Sequence, residues 1–464
     1  MDRCGRTRKP ARGPCIQNPA HTRLGIFIVG GLGLIGASTT AHAQILQQYL
    51  PDTAAPAFGL AGALLAPDVA ATARATPETQ PGVTVATRAH PEYDSAGLHV
   101  GDFYIRPLLS ESLGYNSNLF ANRANKSAIE VVTAPSVSFA TNWVNRSLTG
   151  EITATNTAYP TESKQNYTNW GANLGGSYDL GRDRLTINYR HADLHIARGS
   201  IDSGDFDTPI PFQVDTINVS YLIPFARFSF EPALDFTNQR FSNGTFNGLP
   251  LLETVNNHNT GQATLTTRYE LAPLRSLVLV TRGIAQNFYS AQPGQPTRNS
   301  KTAQILGGID FSVSAVIRVR ALIGYEQRSF TSSTFPTRSG PIINADVIWS
   351  PTQLTTVTGS ANRSIEDGLS VGTTGITYTS VKLAIDHELL RNVVIGGRSE
   401  IQIGEFASQQ GTQTIYSVGA AADWRINRRL KLRATYDYTY RDSSPALGQS
   451  FSQNLMLVSF VIGL

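Results

Sequence analysis

Cysteine is nearly absent. The two in 464 residues, Cys4 and Cys15, lie at the N-terminal end, so no disulfide framework or thiolate metal centre can be built farther along. Long apolar runs are missing too. Nothing approaches the roughly 20 residues that a membrane helix needs, and mean hydropathy is −0.14. Charged residues make up only 16%, and their basic excess is an end effect. Residues 1–43 hold Arg3, Arg6, Arg8, Lys9, Arg12 and Arg23 against Asp2; taking that net +5 from the overall +4 leaves about −1 for residues 44–464. A basic nucleic-acid surface therefore has no support beyond the first segment, and no nucleic-acid partner is expected. Catalytic signatures are also missing: no GxSxG, HExxH or Walker loop stands in a fitting context. No enzyme activity, cofactor or metal is expected. His191 and His195 in "HADLHIAR" are four apart, which on a strand separates them by about 13 Å.

The basic stretch leads into "RLGIFIVGGLGLIGASTTAHAQ". A positive region, an apolar run of Leu24 to Ala37 and small residues at Ala41-His42-Ala43 give the layout of a secretory signal peptide over residues 1–43. Its apolar core is too short to remain as a membrane anchor. Residues 44–100, as in "PDTAAPAFGLAGALLAPDVAATARATPETQPG", are rich in Ala, Pro and Thr. Prolines interrupt any helix and no alternation persists, so the expectation is a disordered periplasmic lead-in.

What is present from Gly101 onward is alternation. In "LKLRATYDYTYR" (430–441), Leu430, Leu432, Ala434, Tyr436, Tyr438 and Tyr440 fall on one parity. Lys431, Arg433, Thr435, Asp437, Thr439 and Arg441 fall on the other. A helix groups residues three and four apart, whereas a strand sends successive side chains to opposite faces. The same two-sided pattern recurs through 172–180, 227–236, 317–326 and 416–426. It weakens between Val393 and Phe406.

The connections come in two kinds. Short ones lie at 143–147, 180–184, 224–227, 272–276, 314–318, 350–354, 389–392 and 426–430. Long polar ones, such as 120–127, 242–257, 290–300 and 332–340, alternate with them. Eight tight turns join sixteen strands, and one further strand at each end (about 103–118 and 450–464) makes eighteen. Tight turns at one end, long loops at the other and an even strand count describe an all-β, transmembrane up-and-down antiparallel β-barrel over 101–464. About 18 strands are expected, with 16 the alternative. A sandwich would rarely need so many long, regular strands, and a propeller would repeat a four-strand motif. Closure follows from physics, because an open edge would leave unpaired amides in hydrocarbon.

In a barrel the two parities become an oily outside and a wet inside. The inward charges are then Arg190, Glu231, Asp235, Arg318, Arg320, Glu326, Arg398, Glu400, Arg433 and Asp437. Rings of charge set ion preference in pores, although such residues also simply pair across the lumen. Trp143, Trp349 and Trp424 lie near tight turns and Trp170 near the loop end of its strand, as interface aromatics do. The final run "FSQNLMLVSFVIGL" alternates to the last residue and is similar to the terminal strand read by the outer-membrane assembly machinery. That pattern usually ends in an aromatic, and here it ends in Leu464 with Phe460 four back.

Near the barrel start, "GDFYIRPLLSESLGYNSNLF" carries Gly114-Tyr115-Asn116-Ser117-Asn118-Leu119-Phe120. This run resembles the opening "GYDDN" region of the putative β-barrel porin 2 family, with Asn-Ser where Asp is common. The resemblance implies an outer-membrane barrel of a Gram-negative bacterium working beside exopolysaccharide or capsule machinery, and it transfers no residue-level site. The functional expectation is a pore for passage or export of polysaccharide or other polar solutes. The alternatives are a general diffusion porin, and a rim enzyme or structural barrel without conductance. Polysaccharide passage predicts an inward aromatic track, for which Phe288, Phe406 and Phe451 qualify by parity. A solute porin predicts a loop folded into the lumen, and 242–257 is long enough. Expected partners are outer-membrane lipids and the assembly machinery, with exopolysaccharide a candidate.

Overall fold

The computed structural model describes residues 84–292, 294–312, 316–368, 375–406 and 411–464. The expected leader over 1–43 and most of the expected lead-in fall outside these residues. Among the described residues the chain forms a short strand β1 (Leu98–Val100) followed by β2 (Phe103–Asn116), β3 (Ala128–Thr141), β4 (Arg146–Ala158), β5 (Tyr167–Leu180), β6 (Asp183–His195), β7 (Pro211–Phe225) and β8 (Phe228–Phe241). A two-stranded hairpin, β9 (Gly244–Phe246) and β10 (Leu249–Leu251), interrupts the series. Then come β11 (His258–Ala272), β12 (Arg275–Phe288), β13 (Ser300–Ser312), β14 (Ile317–Phe330), β15 (Arg338–Thr352) and β16 (Thr355–Glu366). The last five are β17 (Ile376–Leu390), β18 (Val393–Phe406), β19 (Gly411–Arg425), β20 (Leu430–Ser443) and β21 (Phe451–Gly463).

Eighteen of these strands pair antiparallel with their sequence neighbours, and β8 pairs directly with β11. The sheet closes where β21 meets β2, from Leu108↔Gly463 to Asn116↔Leu455. Closure leaves no edge, so every strand finds partners on both sides. The eight tight turns fall at one end of the barrel, here the turn end; the long connections fall at the other, the loop end.

The period-2 pattern sorts the side chains as the alternation demands. On β20 the rings of Tyr436, Tyr438 and Tyr440 are exposed on the outer face, while Arg433 and Arg441 are buried inside. The segment with the weakest pattern, 393–406, still forms β18, held by continuous pairing to both neighbours. At Gly308 and Gly324 neighbouring strands approach closely. A Cβ at Gly308 would clash with the Ala321 carbonyl oxygen, and one at Gly324 with the Ile305 carbonyl oxygen. Only glycine permits that backbone approach.

The interior differs from side to side. The inner face of β12–β15 carries an apolar cluster of Val278, Val280, Leu306, Leu322 and Ile342. Beside it Arg282, Gln304 and Glu326 are buried and linked by hydrogen bonds.

Residues 84–100, which the composition places in a disordered lead-in, are ordered against the turn end. Val85 is fully buried, and its N–H donates to Thr356 Oγ1 at 3.0 Å. Arg88 and His90 both reach Glu388 Oε2, at 3.5 and 3.4 Å. At the other end of this strap the Gly97 N–H donates to the Leu464 carbonyl at 2.8 Å. Local turn composition cannot reveal such contacts, because each partner lies some 270 to 370 residues away.

Candidate functional site

The ten inward-parity charges all project from the interior face of their strands, and most meet an oppositely charged or amide neighbour. Arg190 on β6 faces Glu151 on β4. Glu231 accepts from Arg268 at 2.8 Å, and Asp235 accepts from Asn218 and Gln262 at 2.7 and 3.0 Å. Arg320 lies in the field of Asp310, Asp346 and the neighbouring Arg318. Glu326 is almost completely buried and accepts from Gln304 at 3.0 Å. Across the barrel, Arg398 Nε donates to Asp437 Oδ1 at 2.9 Å. Glu400 holds Lys382 at 3.1 Å and accepts from Ser380 at 3.1 Å. Arg433 and Lys431 share Asp423, at 3.2 and 3.1 Å. The ten are thus spread around the wall, on β6, β8, β14, β18 and β20.

Three of the four tryptophans, Trp170, Trp349 and Trp424, are exposed on the outer face near strand ends. Trp143 instead lies in the β3–β4 turn, where its Nε1 donates to Asp102 and the Arg146 guanidinium sits 4.7 Å from its ring. His191 and His195 take separate partners, Asp215 and Asn169.

The loop that crosses the lumen is residues 196–210, not the longer 242–257 connection. It starts between β6 and β7 and reaches the wall formed by β17–β19. There Ile201, fully buried, packs against Ile376, Tyr378, Phe406 and Ile415. The Asp202 N–H donates to Gln413 Oε1 at 2.8 Å, and Arg441 donates to the Ser200 carbonyl at 3.4 Å. Gly199, at φ +77°, lies so close to Phe451 that a Cβ there would come within 2.5 Å of its ring. The 242–257 connection instead folds into the β9–β10 hairpin and a 3-10 turn at Glu253–Asn256, which caps the loop end. Its Asn256 is held by Arg298 at 2.5 Å, and Arg298 also donates to the Gly368 carbonyl at 2.6 Å. Burial pushes the Glu253 carboxyl up to about 7; a hydrogen bond from Asn256 opposes this, Asp202 adds to it and Arg298 opposes it.

Beside the crossing loop a cavity of about 340 Å³ opens between β2–β5 and β17–β21. Arg198 forms part of its roof. The guanidinium stacks 4.1 Å from the Phe206 ring and donates to Gln165 Oε1 at 2.7 Å. Burial pulls Arg198 down to about 10, with Asp205 and Asp207 among the charges that oppose this. Tyr159 and Tyr167 line one wall; Lys382, Arg398, Glu400 and Asp437 line the other. Lys382, Glu130 and Arg198 do not figure among the sequence candidates. Lys382 shares interior parity with Ser380 and could have been read from it, whereas Arg198 joins the site only because its loop folds inward.

A closed antiparallel barrel with an apolar exterior, a charged interior and a loop folded across the lumen is the architecture of a β-barrel porin. The family model described as Putative beta-barrel porin 2 matches residues 90–463, and the chain belongs to that family. Among solved structures it is similar to Acinetobacter baumannii OccAB3, with 7% identity, a TM-score of 0.44, and coverage of 79% of this chain and 100% of that one. It is also similar to a BenF-like porin from Pseudomonas fluorescens Pf-5, at 9% identity and TM-score 0.44 over 79% and 100% of the two chains. The ferric-catecholate import receptor Fiu of E. coli gives 9% identity and TM-score 0.41 over 77% and 81%. No curated protein matches the chain.

Proposed function

We propose that the protein lies in the outer membrane of a Gram-negative bacterium and lets small polar solutes pass through its interior. The observation that carries this reading is the cavity beside the crossing loop, lined by charged and hydroxyl-bearing side chains and enclosed by an apolar exterior. Such an exterior suits lipid, and an aqueous interior of this strand number suits a channel narrowed by a loop. Export would use the leader over residues 1–43, and the alternating terminal strand β21 would engage the assembly machinery.

Passage of polysaccharide has less support. Phe288, Phe406 and Phe451 are interior but stand on β12, β18 and β21, far apart around the wall. The rings of Phe288 and Phe451 have Arg298 and Arg441 at 4.4 and 4.8 Å, and Phe406 packs against Ile201, so they form no continuous stacking track. Planar-bilayer recording of the purified protein tests the proposal. Discrete conductance steps are expected; a membrane that stays silent at every potential, with protein shown to be inserted, overturns it.

A further inference from the structure

We infer that the cavity beside the crossing loop selects uncharged, hydroxyl-rich solutes of sugar or polyol size rather than ions of either sign. This rests on the pore reading above and names the class of solute. Six acidic or basic side chains line the cavity: Arg198, Lys382 and Arg398 against Glu130, Glu400 and Asp437. In formal charge the two sets cancel.

For four of the six the cancellation is also local, and the other two are held by neutral groups. Arg398 and Asp437 are in contact at 2.9 Å, and Lys382 and Glu400 at 3.1 Å. Glu130 is hydrogen-bonded to Tyr159, and Arg198 is occupied by Phe206 and Gln165. Paired charges present short-range dipoles, so a permeating ion gains little Coulomb energy to offset the water it sheds. At the two ion pairs a charged solute could bind tightly only by breaking a pair, which leaves the other partner uncompensated.

A hydroxyl group meets no such obstacle. It donates and accepts at once, so it can exchange water for the mixed donors and acceptors of Gln402, Ser417 and Thr439 on one side and Thr157 on the other. Tyr159 and Tyr167 add ring surface for the C–H faces of a sugar. The volume, about 340 Å³, lies at the low end of the roughly 300–1,000 Å³ of usual small-molecule pockets, which suits a polyol or one sugar ring.

Bilayer recording in a salt gradient at pH 8 separates this inference from the pore reading. The expected cation-to-anion permeability ratio is within about twofold of one, and neutral glucose or maltose should reduce the current reversibly. Arg398→Gln should shift the reversal potential toward cation preference, and Asp437→Asn toward anion preference, in opposite directions from the parent. A strongly ion-selective parent channel whose current ignores both sugars overturns the inference while leaving a pore; no conductance at all overturns both. Should either variant fail to fold, the parent's permeability ratio and sugar response decide alone.

Discussion

At the scale of single residues, the outer face is mostly apolar, and one charged residue on it is instructive. Glu111 on β2 is exposed among Leu109, Leu113, Val458 and Phe460, and it accepts a hydrogen bond from Thr133 at 2.8 Å. In water that carboxylate would be unremarked, whereas facing hydrocarbon it is destabilising. Replacing Glu111 by Leu is expected to stabilise the barrel by roughly 1 kcal/mol, less than the roughly 2–4 kcal/mol that Lys or Arg costs at the midplane. Denaturant unfolding in lipid vesicles measures it, and an unchanged or lowered midpoint would contradict a lipid-facing position. The inner face follows the opposite rule. Asp423 serves both Lys431 and Arg433, so two cations of the "LKLRATYDYTYR" stretch are held by one carboxylate on the adjoining strand.

At the scale of elements, the strands were legible and the loops were not. Period 2 announces itself over a dozen residues, and both the eight turns and the eighteen strands could be placed from it. A loop has no period, so nothing local distinguishes 196–210, which crosses the lumen, from 242–257, which caps it. The one clue is a set of apolar residues, Ile201, Phe206 and Ile210, inside an otherwise polar connection; all three are buried. The capping turn carries its own pH dependence. Glu253 is raised from 4.5 to about 7 by burial, so the docked turn holds a proton that a free one would release. Docking is therefore most favourable below about 4.5 and weakens as pH rises through about 7, by at most about 3 kcal/mol. Spin-label mobility at Leu252 should increase between pH 5 and pH 8, and Glu253→Gln should flatten that response; a label equally immobile at both pH values counts against it.

At the scale of the whole molecule, closure and the strap act together. The seam between β2 and β21 brings the end of the last strand beside the start of the first, and the strap runs from that seam to β16 and β17 at the turn end. Glu388 anchors Arg88 and His90 alike, so it is the point at which the strap can be released. Deleting residues 84–96 should raise single-channel conductance on the order of twofold by clearing that mouth. A Val85→Cys, Thr356→Cys disulfide should hold it at the parent value. Conductance unaffected by the deletion would show that the strap lies outside the conducting path.

The sequence by itself determined the wall. Alternation fixes which side chains face out and which face in, turn spacing fixes the strand number, and the scarcity of charge on one parity fixes the face that meets an apolar phase. These are properties of residues two apart, and a linear reading contains them. Only the tertiary structure decided what fills the interior. The meeting of Ile201 with Ile376, of Val85 with Thr356 and of Arg441 with Ser200 depends on where loops land inside a closed cylinder. Closure makes residues hundreds apart into neighbours, and no periodicity records that.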